Sequence, residues 1–229
     1  MESWEAQISA IAALDEPTRH RLYGYVVRQP GPVSRDDAAE VFGLPRTTAA
    51  FHLDRLVDEG LLDVVYQRRT GRTGPGAGRP AKLYQRSGHQ VAVSLPQRRY
   101  DLAGRLLSSA LEHAERSGSS PRVVLDQRAY QMGKELGDTA RNTADDCDTR
   151  QTVLRVLQEY GFEPRIEGDH ITLANCPFHA LAQEHTQLVC GMNLRLLTGL
   201  LDGLAPTGLT ARLDPAPPHC CVRLEPAAL

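Results

Sequence analysis

Pro45-Arg46-Thr47-Thr48-Ala49-Ala50-Phe51-His52-Leu53-Asp54-Arg55-Leu56 decides how the N-terminal half folds. Proline suits the first turn of a helix, where its missing N–H is no loss, and Ala49, Leu53 and Leu56 then recur at i, i+4 and i+7 on one face. That face predicts a helix packed on a core. The opposite face opens with Arg46, Thr47 and Thr48 and continues through Ala50 and Phe51. Hydroxyls meet base edges or phosphates, an apolar group such as Phe51 meets a thymine methyl, and Arg55 is placed for phosphate, so this face suits a DNA major groove.

Working outward, Gly43 marks a tight turn before this helix, and a shorter helix precedes it with Ser34 as its cap and Ala38, Ala39, Val41 and Phe42 as its buried side. Gln29-Pro30-Gly31-Pro32 separates that helix from an earlier one, predicted from Glu16 to about Arg28, with Asp15 as cap and Pro17 in its first turn. Leu22 and Val26, with the earlier Ile11 and Leu14, supply its packing positions. On the other side, Leu61-Leu62-Asp63-Val64-Val65-Tyr66 is β-rich and Lys82-Leu83-Tyr84 returns antiparallel to it. The loop from Arg69 to Pro80, rich in glycine and arginine, then forms a wing. Its Arg69, Arg72 and Arg79, with Lys82, suit phosphates or a minor groove. Helices followed by a hairpin occur in many folds, but helix order, turn, hairpin and basic loop agree here on a winged helix-turn-helix over residues 1–95.

The net charge of −2 hides a strong polarity along the chain. No acidic residue occurs between Val64 and Tyr100, a stretch that holds Arg68, Arg69, Arg72, Arg79, Lys82, Arg86, Arg98 and Arg99. A binder of double-stranded DNA needs only one basic surface. With 229 residues, 41% of them apolar and 24% charged, the chain is long enough for two modest globular domains. The N-terminus has no basic leader and no apolar run approaches a membrane span, so the expectation is a soluble, cytoplasmic protein with no membrane partner.

Beyond the hairpin, Leu102, Leu106, Ala110 and His113 or Ala114 recur at helical spacing. They predict a linker helix within residues 96–121, which serves either as a homodimer contact or as packing for its own chain. Recognition of two DNA half-sites favours the dimer. Residues 122–229 read as an α+β sensor domain, and the fold class of the whole chain is α+β. Helices are predicted over Arg122–Gly137, Thr149–Tyr160 and from Cys190 or Gly191 to Leu204. Strands are predicted over Phe162–Ile166, His170–Leu173, Leu209–Leu213 and from Val222. No nucleophile–base motif, phosphate loop or carboxylate pair supports an enzyme. A small-molecule site using His170, His179 or His185 is the alternative from another functional class.

Five cysteines are too few for a secreted disulfide framework. Cys147 lies among aspartates, which disfavour a thiolate, and is read as non-functional. Cys176 follows a strand, Cys190 opens a helix, and Cys220-Cys221 enters the last strand, so the ends of several elements bring thiols where they can converge. Successive side chains of a strand alternate faces, which favours Cys220 as the third ligand and leaves Cys221 outward or structural, although the adjacent pair keeps both open. Three thiolates with His179 or His219 as the fourth donor fit an iron–sulfur cluster or a Cys3His zinc site equally well.

Leu14-Asp15-Glu16-Pro17-Thr18-Arg19, Phe51-His52-Leu53-Asp54-Arg55-Leu56-Val57-Asp58-Glu59-Gly60-Leu61-Leu62 and Gly78-Arg79-Pro80-Ala81-Lys82-Leu83-Tyr84 resemble the ArsR-like winged-helix regulators. Asn175-Cys176-Pro177-Phe178, Leu188-Val189-Cys190-Gly191-Met192-Asn193-Leu194 and His219-Cys220-Cys221 extend the resemblance to the SufR-type branch over nearly the whole chain. The resemblance implies an iron–sulfur cluster, of 4Fe–4S type, on Cys176, Cys190 and Cys220, and repression of iron–sulfur assembly genes while the cluster is present.

Overall fold

The structure, a computed structural model, describes residues 4–67, 80–143, 148–215 and 219–227. Arg69, Arg72 and Arg79 of the wing, and Cys147, lie outside the described residues. The chain divides into two units, Met1–Val93 and Ser94–Leu229, and both mix helix with sheet, as the α+β reading expects.

The first unit runs α1 (Trp4–Ala13), α2 (Pro17–Val26), β1 (Val33–Ser34), α3 (Arg35–Phe42), α4 (Arg46–Asp58), β2 (Leu62–Gln67) and β3 (Ala81–Arg86). Ser34 and Asp37 form a reciprocal capping box on α3, and Gly43 ends that helix in the left-handed conformation that glycine adopts without a Cβ penalty. Ala49, Leu53 and Leu56 of α4 are fully buried, the two leucines in one cluster with Leu22 and Val26 of α2. Burial of each leucine contributes about 1.5–3 kcal/mol, which fixes which face of α4 stays outside.

Three details differ from expectation. The cap of α2 is Glu16, not Asp15: its carboxylate accepts from the Thr18 and Arg19 amides at 3.0 and 2.6 Å, one residue closer to the first turn. Val41 is 56% exposed and Ile11 48% exposed, because the core is filled by Ala38, Ala39 and Ala10. The hairpin of β2 and β3 gains a third strand, since the short β1 pairs antiparallel with β3 to give the order β1-β3-β2.

Asp54 pins α4 to this sheet: the Lys82 ammonium and the Tyr84 hydroxyl both donate to its Oδ1 at 2.6 Å. Burial opposes ionisation of Asp54, but the hydrogen bonds from Lys82 and Tyr84 outweigh it and hold the carboxyl below its ordinary 3.8. A depressed pKa contributes stability that is fully present above the unfolded value and is lost as pH falls through the folded one. Acid unfolding followed by circular dichroism should therefore show a loss below pH 3.8 that Asp54→Asn lacks. Identical acid slopes for the two proteins would contradict the pin.

The second unit runs α5 (Tyr100–Ser117), α6 (Pro121–Thr143), α7 (Thr149–Glu159), β4 (Pro164–Glu167), β5 (His170–Leu173), α8 (His179–Glu184), α9 (Thr186–Leu204), β6 (Leu209–Leu213) and β7 (Val222–Pro226). Its four strands form an antiparallel sheet in the order β4-β5-β7-β6. The apolar stripe of α5, Leu102, Leu106, Ala110 and Ala114, is buried in this unit's own core. Those residues are therefore not free to contact a second copy; the large apolar side chains that α5 exposes are Tyr100 and Leu111.

Helices α6 and α9 cross at backbone contact. A Cβ added at Gly133 would overlap the Leu196 carbonyl, and one at Gly199 would overlap the Tyr130 carbonyl. Gly137 and Gly203, one turn further along each helix, meet in the same way. The crossing holds α9 at one depth, and α9 carries Cys190 and Asn193 on one side, at i and i+3.

Candidate nucleic-acid interface and cysteine site

The outer face of α4 begins with exposed Arg46 and Thr47, continues through half-buried Thr48 and Ala50, and reaches Phe51, which is 64% exposed. Phe51 stands edge-on to His52 at 5.3 Å between ring centroids, so a large apolar side chain is held out toward solvent. The basic groups of the interface are paired with carboxylates: Arg46 with Asp36 at 3.2 Å, Arg55 with Glu59 at 2.5 Å and Lys82 with Asp54 at 2.6 Å. The Arg46–Asp36 pair is exposed, and such pairs are worth about 0–1 kcal/mol, so a phosphate can replace Asp36 at little cost; the Glu59 side chain is largely buried and holds Arg55 more firmly. Lys82 is held more firmly, because its partner is also bound by Tyr84. Arg98 and Arg99, part of the basic run in the sequence, belong instead to the second unit.

There the structure gathers thiols. Cys176 follows β5, Cys190 lies in the second turn of α9 rather than at its start, and Cys220 and Cys221 precede β7. Cys176, Cys190 and Cys220 are buried and Cys221 is half-buried; all four are free thiols. Cys176 and Cys220, Cys220 and Cys221, and Cys221 and Cys190 are near enough for each pair of thiols to shift one another's ionisation. Cys221 thus joins the cluster. The alternation of a regular strand does not apply to it, since β7 starts only at Val222 and the preceding backbone is free to turn both thiols inward.

Asn193 donates from Nδ2 to the Cys220 sulfur at 3.3 Å, and its buried Oδ1 has no hydrogen-bond partner. The hydrogen bond to Cys220, then burial, pushes the Cys176 thiol up far enough to keep it neutral. For Cys220 the bond with Cys176 lowers the pKa, but the bond with Cys221 and burial prevail and push it up to about 12. Burial raises Cys190 as well. Among the described residues no three His, Cys, Asp and Glu side chains stand in ion-holding geometry; the thiols influence one another pair by pair.

His179 is exposed at the start of α8, a short helix that sequence periodicity does not reveal, and His219 is exposed as well. A third group next to the thiols had no signal of its own. The Arg98 guanidinium donates from Nη1 to the Cys176 carbonyl at 3.1 Å and to the Asn175 side-chain oxygen. In the sequence Arg98 reads only as one more basic residue.

Helices α2, α3 and α4, the last with an exposed outer face, together with a small antiparallel sheet define a winged helix-turn-helix, joined in this chain to a unit that holds a largely buried group of cysteines. Residues 14–65 match a protein family described as a helix-turn-helix domain. The match supports a DNA-binding transcriptional regulator and fits a winged-helix regulator of the ArsR/SufR type, a class that is typically not enzymatic. Neither the curated proteins nor the solved structures contain a match to the chain. No helix among the described residues is long and apolar enough to cross a membrane.

Proposed function

We propose that the chain is a cytoplasmic, homodimeric repressor of iron–sulfur assembly genes, whose affinity for double-stranded DNA is set by a cofactor on Cys176, Cys190, Cys220 and Cys221. The observation that carries this reading is the gathering of four free thiols from three separate segments, three of them buried and Cys221 half-buried, into one interacting group. Soft thiolates select iron–sulfur clusters or zinc, so the donor set fits the group implied by the SufR-type resemblance. Cys221 takes the fourth position in place of His179. Bound there, an iron–sulfur cluster supplies an oxidant-labile crosslink between segments, whereas zinc supplies a redox-inert one.

In the DNA-binding unit, Thr47, Thr48 and Phe51 read base edges, while Arg46 and Arg55 contact phosphate. A salt titration of binding to a selected duplex tests this directly. The logarithm of affinity should fall linearly with the logarithm of salt concentration, and Arg55→Gln should reduce the slope by about 1, the share of one phosphate contact. Binding that ignores salt, or a slope unchanged by the substitution, would sink the assignment.

A further inference from the structure

The second unit opens with residues 94–99, directly after the first unit ends at Val93, and that opening segment is tied to the cysteine site by several hydrogen bonds. Arg98 reaches the Asn175 side-chain oxygen and the Cys176 carbonyl, the latter at 3.1 Å. Asn175, only 6% exposed, answers with its Nδ2, which donates to the Gln97 carbonyl at 3.0 Å and to the Gly161 carbonyl at 2.6 Å. The Arg99 amide donates to the Pro177 carbonyl at 3.0 Å, and the Arg99 guanidinium lies over the Tyr160 ring at 5.2 Å. Within the segment, the Arg98 amide is held by the Ser94 hydroxyl at 2.8 Å. Residues 175–177 thus hold one thiol of the cluster and, through adjacent atoms, the connector.

From this we infer that residues 94–99 form a latch, with Arg98 as its positioning residue, through which the state of the cysteine site sets the length of tether carrying the DNA-binding unit. The inference rests on the reading of the four thiols as a cofactor site. While Cys176 is held by its ligand, the 175–177 loop keeps one arrangement and the connector stays bound to it. When the ligand is lost, the loop is freed to rearrange and the latch bonds open together. Six extended residues then add up to about 20 Å of free chain. In a dimer bound to two half-sites, the second contact depends on the effective concentration that the tether sets, and this falls as the tether lengthens. The closed latch therefore corresponds to tight DNA binding and the open latch to weak binding. Arg98 hydrogen-bonds to oxygens and not to a thiol sulfur, while its charge favours the Cys176 thiolate; its positioning effect is read in the coupling, and Arg98→Lys, which keeps the charge, separates the two.

The test uses the full-length protein, purified without oxygen, in its loaded form and after removal of metal by a chelator. Three readouts are followed: iron, zinc and sulfide content, hydrogen exchange of residues 94–99, and affinity for a selected two-half-site duplex. In the wild type, stripping should raise exchange in this segment about tenfold or more and weaken DNA binding about tenfold. Arg98→Ala should keep the wild-type cofactor content, show fast exchange even when loaded, and bind DNA with nearly the same weak affinity in both forms. Arg98→Lys keeps the charge but lacks the fork that spans Asn175 and Cys176, and should behave like Arg98→Ala. A variant that retains the wild-type ratio of affinities, or one that loses its cofactor, overturns the latch. So does a wild-type segment whose exchange is unmoved by stripping, a result independent of any variant. A wild type that carries no iron, zinc or sulfide overturns the cofactor reading itself and the latch with it.

Discussion

Gly133→Ala should destabilise the second unit by about 3 kcal/mol, whereas Gly104→Ala should stabilise it by up to about 1 kcal/mol. Both glycines lie inside helices, so the substitution removes the same backbone entropy cost in each case. Only the surroundings differ: nothing stands within 4 Å of a Cβ at Gly104, while one at Gly133 would overlap the Leu196 carbonyl in the facing helix. Relief of that overlap requires α6 and α9 to separate, which withdraws buried Leu196, Leu197 and Leu200 from their neighbours. The reciprocal substitution Gly199→Ala should cost a similar amount through the Tyr130 carbonyl. Denaturant unfolding of the three variants checks the signs, and a neutral Gly133→Ala would mean that the helices do not cross at backbone contact. Since α9 also carries Cys190 and Asn193, the tight crossing has a functional consequence: it fixes where two of the site's groups stand.

Cys176→Ser and Cys190→Ser should each lose the cofactor almost completely, yet leave the unfolding midpoint of the stripped protein within a few degrees of the wild type. Serine replaces a thiol of nearly the same volume, so the apolar packing around Phe178 and Met192 is preserved. The weak oxygen donor, by contrast, is a poor substitute where soft thiolates select the metal. Cys221→Ser should show the same loss, and this separates a four-thiol site from one completed by His179. His179→Ala should leave iron, zinc and sulfide content unchanged, because that ring is exposed at the start of α8. Retention of the cofactor by Cys221→Ser together with its loss in His179→Ala would restore the histidine as fourth donor.

The N-terminal fold was legible because its signals are local. Ser34, Gly43 and Pro45 punctuate the helices, and the spacing of Ala49, Leu53 and Leu56 orients α4 whatever else surrounds it. Ambiguity arose where two adjacent residues offered the same chemistry. Glu16 displaced Asp15 as a cap because its longer carboxylate reaches two amides at once. Cys221 was set aside on the alternation of a strand that starts one residue too late to govern it. The least visible features depend on tertiary placement alone. The i, i+4 spacing of Gly133 and Gly137, and of Gly199 and Gly203, is plain in the sequence, but nothing there says that the two pairs face each other. Arg98 sits in a basic run that suggests DNA, and only the fold turns it to the Cys176 carbonyl.

The central claim is that the cysteine site governs the output of the helix-turn-helix, and one comparison tests it most directly. A single oxygen-free preparation should be assayed for affinity to its selected duplex before and after its metal is removed, at constant salt, with metal and sulfide measured on the same samples. The account predicts a cofactor in the first sample and DNA binding about tenfold weaker in the second. Equal affinity in both samples, with the metal demonstrably gone, would contradict it.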